Sequence, residues 1–206
     1  MAPVIRCMPP GPPPAHRQLR DATRHEHAAA ERTAVMQALL NGQLDPAAYG
    51  RLLVGQYALH RAWETERAAW LHGELADAGW YYASRSEALA RDLADWGLSR
   101  EDEPLPLACA SHSQVVGGSS ASWGELYVIE GSALGGQILL RLLEKRLPGH
   151  AHHFFRLGQE AGRGTWRTFQ SMLDHQLSQL DQQQTAIAAA RAMFGRAQRM
   201  LEAVRA

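Results

Sequence analysis

Tyr127-Val-Ile-Glu-Gly-Ser-Ala-Leu-Gly-Gly-Gln137 is the most informative stretch of the chain. The apolar residues on either side favour a helix, yet Gly131, Gly135 and Gly136 fall inside it. An interior helical glycine costs about 1 kcal/mol relative to alanine, because its backbone loses more freedom on ordering. A cluster of them therefore needs a reason. Glycine lets a backbone approach another object closely, and it lets a helix bend. Close packing of a second helix would use the first property, and a flat ligand laid along the helix would use both. A phosphate loop is excluded, because no Gly-x-x-x-x-Gly-Lys pattern is present and no strand precedes the run.

On both sides of this stretch the chain has helical character. β-branched residues are sparse and no alternating run appears, so strands are not expected. Leu19, Ala22, Thr23, Ala30, Val35, Met36, Leu39 and Leu40 recur at helical spacing and predict one helix that stops at Asn41-Gly42. Asp45-Pro46 opens the next helix with a capping side chain and a proline in the first turn. That helix carries Tyr49, Leu52, Leu53, Tyr57, Trp63 and Trp70 and ends near Gly79. Ser84 and Glu87 have capping-box spacing ahead of Leu89, Leu93 and Trp96, with Gly97 as terminator. A Pro- and Glu-rich loop covers Glu101 to Pro106, and a long helical segment runs from about Ser111 to Leu147 before Pro148-Gly149. Two more helices are predicted, Gly164 to Gln179 and Gln182 to Val204. The fold class is all-α.

A chain of 206 residues, 46% of them hydrophobic, can bury one sizeable core. Residues 1–15, with Pro9, Pro10, Pro12, Pro13 and Pro14, read as a flexible tail, and residues 16–206 as one domain. Lys plus Arg equals Asp plus Glu at 21 each, so no basic field favours nucleic acid. Cys7 and Cys109 lack metal-ligand spacing and make no disulfide framework, which suits a reducing compartment. The N-terminus has no apolar signal core, and no uninterrupted apolar run reaches the ~18 residues of a membrane span. A soluble cytoplasmic protein without a membrane partner is expected.

A second constellation lies at Leu19-Arg-Asp-Ala-Thr-Arg-His-Glu-His27-Ala-Ala-Ala-Glu31. His27 and Glu31 are one helical turn apart and share a face. A carboxylate beside an imidazole fixes its tautomer and raises its basicity, the arrangement found behind metal-bound histidines. Arg20 lies two turns earlier near the same face, within reach of a ligand carboxylate. His25 projects to roughly the opposite face, and the residue four positions on is Ala29. An ordinary exposed ion pair on a charged helix has the same spacing as His27 and Glu31.

Together these segments resemble the heme oxygenase family. The match covers Leu19, Arg20, Asp21, Ala22, Thr23, His27 and Glu31 in the first helix and Gly131-Ser-Ala-Leu-Gly-Gly-Gln137 in the distal one. The pattern Tyr-Val-x-Glu-Gly-Ser-x-Leu-Gly is similar to bacterial members, including those associated with bacterial phytochromes. Arg85, Leu89, Asp92-Leu93, Trp96-Gly97 and the run Ala189-Ala-Arg-Ala-Met-Phe194 follow the bacterial pattern too. The resemblance spans nearly the whole chain after the Pro-rich tail. It implies a single-domain helical bundle with heme between the first and distal helices and His27 as the iron ligand. Arg20 and Tyr127 fall on propionate-anchor positions, and a guanidinium and a phenol suit carboxylates. Phe194 packs on the heme or simply in the core. Trp63, Trp70, Trp96, Trp123 and Trp166 read as packing residues.

The implied reaction opens heme, with dioxygen, to biliverdin, ferrous iron and carbon monoxide. Close approach of Gly131, Gly135 and Gly136 would direct oxygen to one meso carbon. Ser132 would position water where many members carry an aspartate. The chain has neither a nucleotide-binding glycine fingerprint nor a cysteine cluster. A ferredoxin, flavodoxin or flavin reductase is therefore implied as electron donor, and the resemblance to phytochrome-associated members implies a bacterial phytochrome as biliverdin acceptor. Ser132 keeps open a catalytically silent heme carrier on the same fold. A di-iron oxidase would need Glu-x-x-His pairs, and no Glu here is followed by His three residues on.

Overall fold

The periodic stretch from Leu19 to Leu40 forms three short helices instead of one: α1 (Ala15–Ala22), α2 (Arg24–Glu31) and α3 (Ala34–Leu40). Both interruptions fall on threonines. Thr23 leaves helical geometry at φ −107°, ψ 9°, and its hydroxyl donates to the Leu19 carbonyl at 2.7 Å. Thr33 is extended, and its hydroxyl donates to the Ala30 carbonyl at 2.8 Å. Threonine hydroxyls compete for backbone carbonyls and favour helix ends, which apolar spacing does not register. The short helix α2, which carries His27, consequently has an orientation of its own.

The computed structural model describes residues 12–99 and 118–204, with the side chains of residues 159–164 outside that description. Most of the Pro-rich tail, Cys7, Cys109, the predicted loop at Glu101 to Pro106 and the predicted helix start at Ser111 lie outside the described residues. All regular structure among the described residues is α-helical.

α4 (Pro46–Glu66) starts where expected, with the Asp45 carboxylate accepting from Ala48 N–H at 2.7 Å. It ends before Trp70, which lies on α5 (Ala68–His72), and α6 (Glu74–Asp77) follows. α7 (Arg85–Asp95) opens on Ser84, whose hydroxyl accepts from Glu87 N–H at 3.1 Å. The Glu64 carboxylate of α4 accepts from the N–H groups of Arg85 (2.7 Å) and Ser86 (3.1 Å) and thereby joins α4 to α7.

α8 (Gly118–Arg146) runs unbroken through the glycine cluster, so the glycines do not serve a break. It packs mainly against α9 (His153–Gln176) and α10 (Leu180–Ala203). α9 begins at His153, well before the expected Gly164. Its first N–H groups, of His153 and Phe154, donate to Asp92 of α7 at 2.6 and 2.9 Å. That cap comes from a distant residue and is invisible to local pattern reading.

By length and composition α8 is apolar enough to cross a membrane, although no uninterrupted apolar run in the sequence is that long. Its buried carboxylates, however, are paired inside the protein. Glu125 accepts from Arg67 at 2.8 Å and from Trp63 Nε1 at 2.9 Å, and Glu130 accepts from Arg85 at 2.7 Å. These bonds mark α8 as the core helix of the bundle.

Helix–helix contact is closest at two other glycines. A Cβ on Gly124 would overlap the Ala186 carbonyl of α10, and one on Gly158 of α9 would overlap the Ala133 carbonyl of α8. Gly124→Ala should therefore lower stability by about 2–3 kcal/mol through overpacking, despite alanine's better helix propensity. Urea denaturation measures this, and an unchanged midpoint would contradict the close contact.

Candidate functional site

The helices around α8 enclose a cavity of about 490 Å³. α2 contributes one part of its wall. His27 is more than half exposed there, with Nδ1 3.6 Å from Glu31 Oε2, and Glu31 also lines the cavity. Since Nδ1 faces Glu31, Nε2 is the nitrogen left to meet a ligand. Phe194 of α10 is largely buried and meets the His27 ring edge-on, with centroids 5.8 Å apart and planes at 78°. It therefore touches the imidazole as well as the cavity.

α8 contributes another part through Gly131, Gly135 and Gly136. A Cβ on Gly135 would meet nothing within 4 Å, and one on Gly131 would only approach the Trp166 ring at 3.5 Å. At Gly136 the nearest atom is 3.7 Å away, in Phe155. Of the two uses of glycine set out from the sequence, helix packing is met by Gly124 and Gly158. The motif glycines instead leave the α8 backbone bare toward the cavity.

Ser132 lines the cavity and is exposed, but its hydroxyl donates to the Ile129 carbonyl at 2.8 Å. Its oxygen can still accept from water. Arg20 lines the cavity as an exposed residue, paired with Asp21 at 3.3 Å. Tyr127 is half-buried, shares a hydrogen bond with Thr23 and packs 5.9 Å from the Trp166 ring. Burial pushes its phenol above the ordinary range, against the opposing pull of Thr23 and Arg20, so it stays a protonated donor. His25, the other histidine of α2, does not line the cavity.

Sequence reasoning missed several lining residues. Arg24 stands one turn from Arg20 and pairs with the same Asp21 at 3.1 Å, so two guanidiniums share one carboxylate at the cavity edge. Helical spacing from Arg20 was the available signal for it. Trp166, read as packing, is a wall residue. Gln56, His60 and Arg85 also line the cavity, and nothing local in the sequence marks them. His60 is 4% exposed, its ring lies 5.3 Å from that of Phe154, and its Nδ1 has no partner among the described residues. Burial, with Arg85 and Arg196 adding to it and Glu64 opposing, lowers its pKa to about 3.

This arrangement suits a flat, largely apolar molecule with acidic groups and a bound metal. Ile138 and Leu40, 63% and 39% exposed, line the cavity as apolar surface that such a molecule would cover. The arginines suit its carboxylates. No group of three His, Cys, Asp or Glu side chains that could hold a metal ion exists among the described residues. A metal carried in a macrocycle needs only one more ligand, which an imidazole can supply.

Comparison with known proteins agrees. The family model for heme oxygenase matches residues 14–203. The heme oxygenase of Xanthomonas campestris pv. campestris is 40% identical over 162 residues, covering 78% of this chain and 92% of that one. The structure of heme oxygenase from Leptospira interrogans has a TM-score of 0.75 at 20% identity, covering 92% of this chain and 99% of that chain. A heme oxygenase from the cyanobacterium Synechocystis, in complex with heme, has a TM-score of 0.69 at 18% identity, covering 92% and 91%.

His60 gives the protein a defined acid response. The unfolded chain binds a proton at this position near pH 6.5, whereas the folded protein does so only near pH 3. The stability from keeping His60 neutral is thus complete above pH 6.5 and is lost as the pH falls toward 3, at up to ~1.4 kcal/mol per pH unit. His60→Gln should shrink the drop in urea midpoint between roughly pH 7.5 and 5.5, where ~1 kcal/mol is at stake. Parallel pH profiles for the two proteins would sink the assignment.

Proposed function

Because the chain belongs to the heme oxygenase family, we propose that His27 is the protein ligand to the heme iron, through Nε2. Heme is the substrate as well as the bound prosthetic group, and the reaction opens it at a meso carbon to biliverdin with release of ferrous iron and carbon monoxide. Bound heme supplies both the iron that activates dioxygen and the carbon skeleton that is oxidised. The observation that carries the His27 assignment is that this accessible imidazole and the bare glycine backbone of α8 line one cavity.

The roles of the chain's own residues follow from their contacts. Glu31, its carboxylate 3.6 Å from Nδ1, would orient the ring so that Nε2 is the nitrogen presented to the ligand. Phe194 packs edge-on against the imidazole and limits its rotation. Arg20 would anchor a propionate, and Tyr127, kept protonated by burial, would donate to the same end of the ligand by turning its proton from Thr23, whose own hydroxyl proton is engaged by Leu19. Fixing that end selects which meso edge points inward. Gly131, Gly135 and Gly136 leave the α8 backbone free of side chains where the macrocycle would lie, and would limit the space open to dioxygen there. The Ser132 oxygen accepts a hydrogen bond from water there while its proton is engaged by Ile129.

Electrons come from an external donor of the ferredoxin, flavodoxin or flavin reductase class, in keeping with the lack of a dinucleotide fingerprint in the sequence. The similarity of the Tyr127 to Gly135 pattern to phytochrome-associated bacterial members supports a bacterial phytochrome as biliverdin acceptor. The lack of a disulfide framework in Cys7 and Cys109 supports a cytoplasmic location.

Hemin titrated into the protein should give a stoichiometric Soret complex whose histidine-ligated signature disappears in His27→Ala. With a ferredoxin system and dioxygen the complex should bleach and leave a bilin. Binding without bilin would point to a carrier, and no stoichiometric complex would defeat the reading altogether. Gly135→Ala separates ligand approach from helix packing. It should stabilise the hemin-free protein by about 0.5–1 kcal/mol, since the site has room for a methyl. It should also weaken hemin binding, and a gain in both properties would show that the backbone does not meet the ligand there.

A further inference from the structure

We propose that Arg191 of α10 is a positioning residue for the iron ligand: it spans the break between α1 and α2 and fixes the tilt at which α2 presents His27. The proposal rests on the reading of His27 as that ligand.

α2 has little to hold it. It is eight residues long, contains no buried residue and has no side-chain N-cap bond. A helix this short is marginal on its own, so its orientation must come from tertiary contacts. Thr23 interrupts the backbone just before it. At its far end Gln37 Nε2 donates to the Glu31 carbonyl at 2.8 Å.

At its near end stands Arg191. Its Nε and Nη2 donate to the Ala22 carbonyl at 3.1 and 2.8 Å, and its Nε lies 3.2 Å from Glu26 Oε1. Ala22 is the last residue of α1, where the helix dipole favours a cation, and Glu26 lies in the first turn of α2. One planar guanidinium thus holds both sides of the break. Three residues on, Phe194 of the same helix meets the His27 ring. Arg191 and Phe194 therefore form one face of α10 that sets first the helix and then the imidazole. Ammonium geometry cannot reproduce the forked contact, so lysine is only a partial substitute.

The test compares the hemin complexes of the parent, Arg191→Gln, Arg191→Lys and Glu26→Gln, with Arg199→Gln as a control on the same helix. Two readouts are needed: the ferrous iron–histidine stretching band by resonance Raman, and the rate of hemin transfer to apomyoglobin. Arg191→Gln should shift or broaden the band and raise the transfer rate about fivefold, the size of one charge-assisted contact at a part-exposed site. Arg191→Lys should recover part of both, Glu26→Gln should move both in the same direction by less, and Arg199→Gln should match the parent. A lower melting temperature of the hemin-free protein with band and rate unchanged would make the contact merely structural and overturn the proposal. Should Arg191→Gln not fold, unchanged band and rate in both Glu26→Gln and Arg191→Lys overturn it equally. If His27→Ala keeps the histidine band, it is the ligand assignment that falls. If His27→Ala loses the band while Arg191→Gln leaves it unshifted, the positioning role alone falls.

Discussion

The contact between α8 and α10 at Gly124 and Ala186 governs the rest of the molecule. The backbones there come so close that no side chain fits on Gly124. Gly158 of α9 makes an equivalent approach to Ala133 of α8. Interiors packed this tightly transmit displacement, so these contacts fix α9 and α10 against the long helix. α10 in turn carries Arg191 and Phe194, which hold α2 and its histidine. The width of the cavity is thus set by two glycines outside the motif that lines it.

The interior around the cavity contains several buried ion pairs. Glu125, Glu130 and Glu64 each accept several hydrogen bonds, from Arg67 and Trp63, from Arg85 and Trp80, and from Tyr82 and the start of α7. A buried carboxylate of this kind contributes less to net stability than to uniqueness, because removing one partner leaves a charge without water. These bonds tie α8 to the α4–α7 pair and keep the cavity walls in register. His60 stands among them as a neutral group, since two arginines and burial together disfavour its charged form.

The site divides into a side built to hold and a side built to stay bare. The histidine side has a carboxylate, an aromatic brace and two arginines. Past Tyr127, the α8 side has three glycines, Gly135 facing open space and Gly131 and Gly136 placed where an added methyl would just touch Trp166 and Phe155, and one serine whose proton is engaged by its own helix. Specific hydrogen-bond donors from side chains are therefore scarce along α8, and backbone shape does most of what that wall can do.

Helix content, the Asp45-Pro46 and Ser84 starts and the positive-φ stops at Gly42, Gly97 and Gly149 were legible in the sequence, because each depends on contacts within a few residues. So was the pairing of His27 with Glu31, since one helical turn brings them together wherever α2 lies. The family resemblance added which distant segments belong to one site. Three things needed the folded chain. The early start of α9 depends on hydrogen bonds to Asp92 of α7, whereas the break at Thr23 rests on a bond to Leu19 four residues away, which apolar spacing does not register. Which glycines pack and which stay bare depends on what lies across from them, and a glycine looks the same in either setting. His60, Arg85 and Trp166 line the cavity only because α4, α7 and α9 converge there, and no local pattern encodes that convergence.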